Sequence, residues 1–252
     1  MKDKVFFVSD VHLGSSTFGD TLEREKHLVR WLDFIKEEAK ALYLMGDIFD
    51  FWFEYKRSVP QGFTRFLGKL AELSDSGVEI HYFIGNHDLW IFDYLPKEIG
   101  FILHKEPFIT EMGGKTFYLA HGDEQSAFSF SFRLVRGIFH NRICQFFFRL
   151  IHPDFGIKLA YLWADYSRKK ELKHCNEPYL GEDKEHLVIF AKSYIKTHPE
   201  IDYMIFGHRH IPLDVMITPA NRMMTVGDWM QHFSYIVFDG KELVHEKFEK
   251  SK

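Results

Sequence analysis

Five short apolar runs in this sequence each lead into a tight polar turn that carries Asp, Asn or His. In parallel α/β sheets, side chains at the carboxyl ends of neighbouring strands converge in one crevice. Five such turns in one chain are hard to explain by packing alone, whereas a shared functional site explains all of them. The residues in these turns are Asp10 and His12, Asp47, Asn86 with His87 and Asp88, His121 with Asp123, and His208 with His210.

Hydrophobic periodicity in the first half of the chain predicts a largely parallel sheet. Lys4–Ser9, Ala41–Met45 and Val78–Ile84 are brief apolar runs of the kind that forms buried strands. Helical patterns lie between them, over residues 20–39 and Gln61–Ser76. A β–α–β–α–β order places helices on the faces of a parallel sheet.

The second half of the chain predicts further strands and a mixed arrangement. Ile109–Met112 and Lys115–Ala120 flank Gly113-Gly114, which is a strong hairpin signal. Additional short strand patterns cover 201–206, 213–217, 222–226, 234–238 and Glu242–Phe248. We therefore expect an α/β sandwich of two mixed β-sheets flanked by helices, as a single domain over residues 1–252.

Between about residues 125 and 183 the strand patterns stop, and the sequence becomes helical, aromatic and basic. From Arg133 to Lys173 there are nine Lys or Arg and three Asp or Glu, whereas the whole chain has a net charge of −4. We expect residues 125–183 to form a helical cap. Cations among aromatic side chains suit an anionic amphiphile or an anionic membrane surface. The residues that we expect to contact a substrate phosphate or sugar are Ser167, Arg168, Lys169 and Lys170.

The same segment also permits simpler interpretations. Phe at helical spacing usually forms a core, so the segment could be purely structural or serve dimerisation, and its basic residues could be a solvated face. The overall charge is too mild to predict nucleic-acid binding. No apolar run approaches the roughly 18 residues that span a bilayer, and the N-terminal run is too short for a signal peptide. We expect a cytoplasmic protein, with peripheral membrane contact as an option and an undetermined oligomeric state.

The residue types in the five turns indicate a metal site. Cys144 and Cys175 are the only cysteines, so a thiolate site is excluded. Carboxylate, amide and imidazole donors suit Mn, Fe, Zn or Ni. Seven such donors exceed the needs of one tetrahedral ion and are enough for two ions that share a bridging carboxylate.

The turns resemble the motifs of the calcineurin-like metallophosphoesterases. The matching blocks are Asp10-x-His12, Gly46-Asp47, Gly85-Asn86-His87-Asp88, His121-Gly122-Asp123 and Gly207-His208-x-His210. They follow the family's order and lie within residues 4–123 and 200–248. The resemblance implies a phosphoesterase that uses two divalent ions, with Mn²⁺ favoured.

Carried over by position, the resemblance also implies roles for individual residues. The first ion would be held by Asp10, His12, Asp47 and His210. The second would be held by Asp47, Asn86, His121 and His208, with Asp47 as the bridge. His87 would protonate the leaving group or stabilise transition-state charge, and Asp88 would orient it. Asn86 and Asp123 are candidates for substrate contact.

Within that family, the chain is most similar to the branch that hydrolyses UDP-2,3-diacylglucosamine in lipid A biosynthesis. The motifs Gly46-Asp47-Ile48-Phe49-Asp50 and Gly227-Asp228-Trp229 fit that branch, as does a helical insert. Many of its members carry Arg after the ligand Asn, where this chain has His87, as the wider family does. Two other functions therefore stay open: hydrolysis of a soluble nucleotide or phosphodiester, and a non-enzymatic binding scaffold.

Overall fold

The computed structural model describes residues 2–17, 19–125, 137–139, 141–162, 164 and 178–249. Two β-sheets pack face to face, and helices cover the outer face of each sheet. The sandwich of two mixed sheets predicted from the sequence is therefore confirmed.

The first sheet is built from six strands. They are β1 Lys4–Val8, β2 Ala39–Leu44, β3 Glu79–Phe83, β4 Ile102–His104, β10 Ser234–Phe238 and β11 Leu243–Lys247. Their order is β11-β10-β1-β2-β3-β4. Strands β1 to β4 run parallel, whereas β10 is antiparallel to both β1 and β11. The carboxyl ends of β1, β2 and β3 therefore lie side by side.

The second sheet is built from five strands. They are β5 Phe108–Met112, β6 Lys115–Ala120, β7 Tyr203–Phe206, β8 Leu213–Thr218 and β9 Asn221–Thr225. Their order is β5-β6-β7-β9-β8, with β6, β7 and β9 parallel. The predicted hairpin is confirmed, because β5 pairs antiparallel with β6 and both Gly113 and Gly114 have positive φ.

Helices complete the layers. They are α1 Thr21–Ile35, α2 Thr64–Asp75, α3 Tyr94–Ile99, α4 Arg142–Leu150, α5 over 153–162, and α6 His186–Ile195. Buried residues of α1, α2 and α3 pack on the outer face of the first sheet, and those of α6 pack on the second. A third apolar cluster fills the space between the sheets, with Phe7, Phe117 and Phe238 among its members.

Two predicted helix boundaries differ from the structure. The first helix ends at Ile35 and not near Ala39, because Ala39 already pairs with Lys4 as the first residue of β2. The second begins at Thr64 and not at Gln61, since Phe63 adopts a left-handed conformation at the helix start. In both places, sheet pairing or loop geometry overrides the local pattern.

Helices α4 and α5 belong to the segment predicted to form a cap. One side of this pair packs on the core, where Phe148 and Tyr161 join a cluster with Phe51, Phe53 and Trp90. The other side is exposed, and its large apolar residues are Ile143, Phe146, Phe147, Leu150, Phe155, Leu159 and Leu162. In the part of the chain that the structure describes, no helix combines the length and apolar character needed to cross a bilayer.

Candidate metal centre

The carboxyl ends of five parallel strands bring the seven predicted metal donors into one buried site. Asp10 and His12 follow β1, Asp47 follows β2 and Asn86 follows β3 in the first sheet. His121 follows β6, and both His208 and His210 follow β7 in the second sheet. The two sheets therefore contribute donors from opposite sides of the same crevice.

One group of donors gathers around Asp10. The Asp10 Oδ1 atom lies 3.3 Å from His210 Nε2 and 3.9 Å from His12 Nε2. One potential ligand atom from each of these three residues lies within 4.8 Å of the others. All three side chains are almost fully buried.

A second group gathers around Asp47. The Asp47 Oδ2 atom lies 3.4 Å from His121 Nε2, and His208 completes a set of three within 4.8 Å. The Asn86 Oδ1 atom lies 3.3 Å from His121 Nε2 and 3.1 Å from His208 Nδ1. All four residues implied for the second ion are therefore neighbours.

Asp47 also connects the two groups. Its Oδ2 atom lies 3.9 Å from His12 Nε2, and Asp47 forms a further candidate set with His12 and His87. A carboxylate between two clusters of imidazoles is the arrangement that two ions with a shared ligand require.

The charge balance of the site fits divalent cations. The ion pairs of Asp10 and Asp47 are with histidines. Asp10 Oδ1 is buried and accepts no hydrogen bond from any residue that the structure describes. A buried carboxylate is costly unless it is paired or coordinates a metal. Together with the oxygen and imidazole donor set, this residue favours a bound divalent metal.

The pKa of His121 shows how strongly negative the surroundings of the site are. Burial lowers the pKa of His121, but the carboxylates of Asp47, Asp10 and Asp123 outweigh that effect and raise the pKa to about 10. The Nδ1 atom of the ring lies 2.8 Å from the Met45 carbonyl oxygen. Because a carbonyl only accepts hydrogen bonds, Nδ1 carries a proton and Nε2 faces Asp47 as the atom available to a metal.

The backbone of the site is held in an uncommon conformation. Asp10, His12, Asp47 and His208 all have positive φ although none is glycine. Each such residue costs about 1–3 kcal/mol, so the surrounding structure must hold it in place. One restraint is visible at His208, whose backbone N–H donates to Asp10 Oδ2 at 2.9 Å. This bond also connects the two sheets.

Two glycines in the motifs are required by close contacts. A Cβ atom at Gly85 would overlap the Asp47 carboxylate, and one at Gly207 would overlap the Ser9 hydroxyl. The glycine blocks seen in the sequence therefore reflect the tight approach of the strand-end turns to each other.

His87 lies beside the predicted metal donors, with its ring centroid 4.8 Å from that of His12. Its Nδ1 atom lies 3.1 Å from the Asp50 carbonyl oxygen and 3.6 Å from Asp50 Oδ1. The same Oδ1 atom lies 3.4 Å from His12 Nδ1. Asp50 is fully buried, and sequence reasoning gave it no role. The signal was present in the motif Gly46-Asp47-Ile48-Phe49-Asp50.

Asp88, which the family resemblance implied as the partner of His87, serves the loop backbone. Its carboxylate accepts hydrogen bonds from the Ile48 and Gly85 backbone N–H groups and from the Tyr82 hydroxyl. Burial, followed by the charge of Asp47, raises the pKa of Asp88 to about 6. The carboxylate that contacts the His87 ring is Asp50, so the orienting role implied for Asp88 is not reflected in its hydrogen bonds.

The predicted substrate contacts divide into two sets. Asn86 and Asp123 lie at the centre, and Asp123 is buried close enough to His121 to influence its charge. Ser167, Arg168, Lys169 and Lys170 lie outside the described residues.

A second residue that the sequence did not single out is Arg209, between the donors His208 and His210. Its guanidinium donates to Glu185 through Nε at 3.2 Å and Nη2 at 3.0 Å, and to the Pro178 carbonyl oxygen at 3.4 Å. Glu185 is buried and precedes α6. These hydrogen bonds connect the turn that carries the predicted metal donors His208 and His210 to residues 178–185, at the C-terminal end of the predicted cap.

This fold and donor set define a metal-dependent phosphoesterase, and the chain belongs to the calcineurin-like phosphoesterase family, whose description matches residues 3–212. Among curated relatives, the chain is 44% identical to "UDP-2,3-diacylglucosamine hydrolase" of Porphyromonas gingivalis, over 99% of both chains. It is 27% identical to the protein of that name from Ectopseudomonas mendocina, over 97% of this chain and 98% of the relative.

A solved structure with a similar fold is Yfce, a phosphoesterase from E. coli. It has a TM-score of 0.42 and 16% sequence identity, over 93% of this chain and 87% of that one.

Proposed function

We propose that this chain is a hydrolase with two divalent metal ions that cleaves UDP-2,3-diacylglucosamine to UMP and 2,3-diacylglucosamine 1-phosphate, a reaction of lipid A biosynthesis. The observation that carries the chemistry is the overlap of the donor groups at Asp47. The choice of substrate is supported by 44% identity, over nearly the whole length, to a relative named for that substrate.

Seven side chains would hold the ions. The first ion would take Asp10, His12, Asp47 and His210, and the second would take Asp47, Asn86, His121 and His208. Mn²⁺ is favoured by the family resemblance, and the oxygen and imidazole donors suit it. When bound, such ions stabilise charge on phosphate oxygens and lower the pKa of a coordinated water. Asp47 would be the ligand that the two ions share.

His87 would act at the phosphate beside the ions. Its Nδ1 atom faces the Asp50 carbonyl oxygen at 3.1 Å, so Nδ1 carries a proton. The Nε2 atom is then the one that donates a hydrogen bond or a proton to a phosphate oxygen as negative charge develops. The Asp50 Oδ1 atom lies 3.6 Å from the same Nδ1 atom and so helps to fix the orientation of the ring.

The segment 125–183 would act as a cap that binds the acyl chains and contacts the cytoplasmic face of the inner membrane. Its exposed apolar residues, such as Phe147 and Phe155, support contact with lipid. Lys158, an exposed cation on α5, would contact anionic headgroups. This mixture of apolar and basic groups favours a lipid over a nucleic acid as partner.

Turnover of two substrates tests this proposal. Purified protein with Mn²⁺ should release UMP from UDP-2,3-diacylglucosamine, and Asp47→Asn should lower kcat by about a thousandfold or more because both ions lose a shared ligand. Asp75→Asn, which changes an exposed Asp on α2, is the control and should retain full activity. Rapid cleavage of bis(p-nitrophenyl) phosphate without release of UMP would contradict the lipid substrate and favour a soluble diester. Full turnover by Asp47→Asn would contradict the shared ligand.

A further inference from the structure

A cavity of about 550 Å³ lies between helix α4 and two loops of the core. Lys105 and Glu106, which follow β4, line it from the core side, and Arg142 and Arg149 line it from α4. Phe92 and Phe146 contribute aromatic walls.

The cavity is rich in unpaired positive charge. Lys105, Arg142 and Arg149 form no ion pair with any residue in the described part of the chain, although many other surface cations do. Among the described residues that line the cavity, Glu106 is the one acidic residue. Three cations that line one cavity and have no ion-pair partner among the described residues form a ready site for a phosphate group.

Aromatic rings lie beside these cations. The Phe146 side chain is 57% exposed, and the Arg149 guanidinium carbon lies 5.7 Å from the centroid of the Phe92 ring. Exposed rings next to arginine are the groups on which nucleobases stack. The Glu106 carboxylate can accept hydrogen bonds from ribose hydroxyls.

The cavity opens next to the metal centre. Ile84 and Leu89 line it, and they flank the turn that carries Asn86 and His87. A narrower crevice, which also includes Ile84, Lys105 and Glu106, continues to His121 and Asp123. A ligand that extends from the metal centre can therefore reach the cations through a continuous surface.

From these observations we infer that this cavity is the subsite for the nucleotide half of the substrate, with Arg142 and Arg149 as specificity-determining residues. This inference rests on the proposed function, in which the scissile phosphate is held at the metal centre. The uracil base packs against Phe92 and Phe146, and the cations neutralise the phosphates. The acyl chains then occupy a different part of the cap.

Calorimetric titration of UMP into the Mn²⁺-loaded protein tests the subsite directly. The double variant Arg142→Gln/Arg149→Gln should weaken UMP binding at least tenfold and raise KM for UDP-2,3-diacylglucosamine by a similar factor. The control Lys184→Gln/Lys196→Gln removes two exposed cations that do not line the cavity, and it should change UMP affinity by less than twofold. Thermal unfolding checks that all variants fold. Glucosamine 1-phosphate and inorganic phosphate serve as comparison ligands.

Three results would overturn the inference. They are unchanged UMP affinity in the folded Arg142→Gln/Arg149→Gln variant, an equal loss of UMP and inorganic phosphate affinity, and a loss confined to glucosamine 1-phosphate. A different result would contradict the proposed function itself: the unmodified protein would bind UMP but would not hydrolyse UDP-2,3-diacylglucosamine. The calorimetric and kinetic measurements therefore separate the two hypotheses.

Discussion

Two imidazoles that reach the centre from different strands share one buried carboxylate, that of Asp50. Asp88, at a similar depth, accepts hydrogen bonds from backbone N–H groups and from Tyr82. The two acids are therefore separable by experiment, because one contacts rings of the site and the other holds a loop in place.

Asp50→Asn should impair catalysis more than folding. The substitution retains size but removes the charge beside His12 and His87, so we expect kcat to fall about 10–100-fold. Measurements of kcat and of the unfolding temperature check these effects.

Asp88→Asn provides the contrast. It weakens a buried acceptor of several hydrogen bonds, so the unfolding temperature should drop by several degrees. A large loss of kcat in Asp88→Asn, with no loss in Asp50→Asn, would reverse the assignment of the two residues.

A histidine pair outside the centre predicts a pH dependence of stability. His81 Nδ1 lies 2.8 Å from His104 Nε2, and burial, followed by the charge of His81, lowers the pKa of His104 to about 4. The unfolded state therefore binds more protons between about pH 4 and 6.5, so stability is complete above 6.5 and falls as the pH decreases through this range. Acidification lowers the free energy of unfolding of the unmodified protein, and in His104→Asn this decrease should be smaller by about 1–2 kcal/mol, a value that allows for the partial exposure of His104.

Denaturant unfolding at pH 7 and pH 4.5 measures that difference. His152→Asn, at an exposed position, is a matched control. Its free energy of unfolding should change between the two pH values as much as that of the unmodified protein. The same change in His104→Asn as in the unmodified protein would show that the pair does not titrate as described.

At the scale of elements, the sequence predicted the periodic strands and helices well. β1, the β5–β6 hairpin and α1 were identifiable because their apolar positions repeat, and Asp20 caps α1 through a 2.7 Å hydrogen bond to the Leu22 N–H. The short α3 was not predicted, because its cap is supplied from elsewhere: Glu54 accepts from the N–H groups of Asp93 and Tyr94. Local sequence carries no signal for a tertiary partner of this kind.

The same reasoning explains what could be predicted of the site. The seven predicted donors stand in motifs with characteristic spacing, so position alone indicated them, and the structure brings them into one site. Asp50 and Arg209 lie inside those motifs, but their roles depend on which side chains they contact across the fold. Glu185 lies 24 residues from Arg209, so the link between them required a three-dimensional structure.

The Arg209–Glu185 pair predicts a coupling between the turn after β7 and the start of α6. Arg209→Gln should weaken Mn²⁺ binding about tenfold by releasing the turn that carries His208 and His210. Glu185→Gln should have a similar effect, and the double variant should add little because the two act through one contact. Arg222→Gln, which breaks an ion pair with Asp214 at β8–β9, is the control. Additive losses of Mn²⁺ affinity would contradict the coupling.

At the scale of the whole molecule, exposed apolar side chains are concentrated on one side of α4 and α5. Phe147 and Phe155 are 61% and 71% exposed, whereas Phe148 packs against Phe53 and Trp90. The run Phe146–Phe148 therefore contains residues with opposite surroundings, and a substitution of all three would mix a surface effect with a core effect.

Phe147→Ser and Phe155→Ser should each weaken binding to phosphatidylglycerol-containing vesicles about tenfold, since a buried Phe contributes about 1.5–3 kcal/mol. Neither should lower the unfolding temperature much, whereas Phe148→Ser should. Ile109→Ser, at an exposed apolar position on β5, is the control in vesicle sedimentation. Equal binding by all surface variants would contradict a membrane-facing role for these helices.

The bond between the His208 N–H and Asp10 Oδ2 spans 198 residues. Under the proposed ligand assignment, a nascent polypeptide that ends before β7 lacks one of the four ligands of each ion, His210 for the first and His208 for the second. Cation uptake would therefore be coupled to completion of synthesis, and the ions would stabilise the finished molecule. A truncation before β7 should therefore bind metal more weakly than the full chain, and it also lacks β10 and β11 of the first sheet.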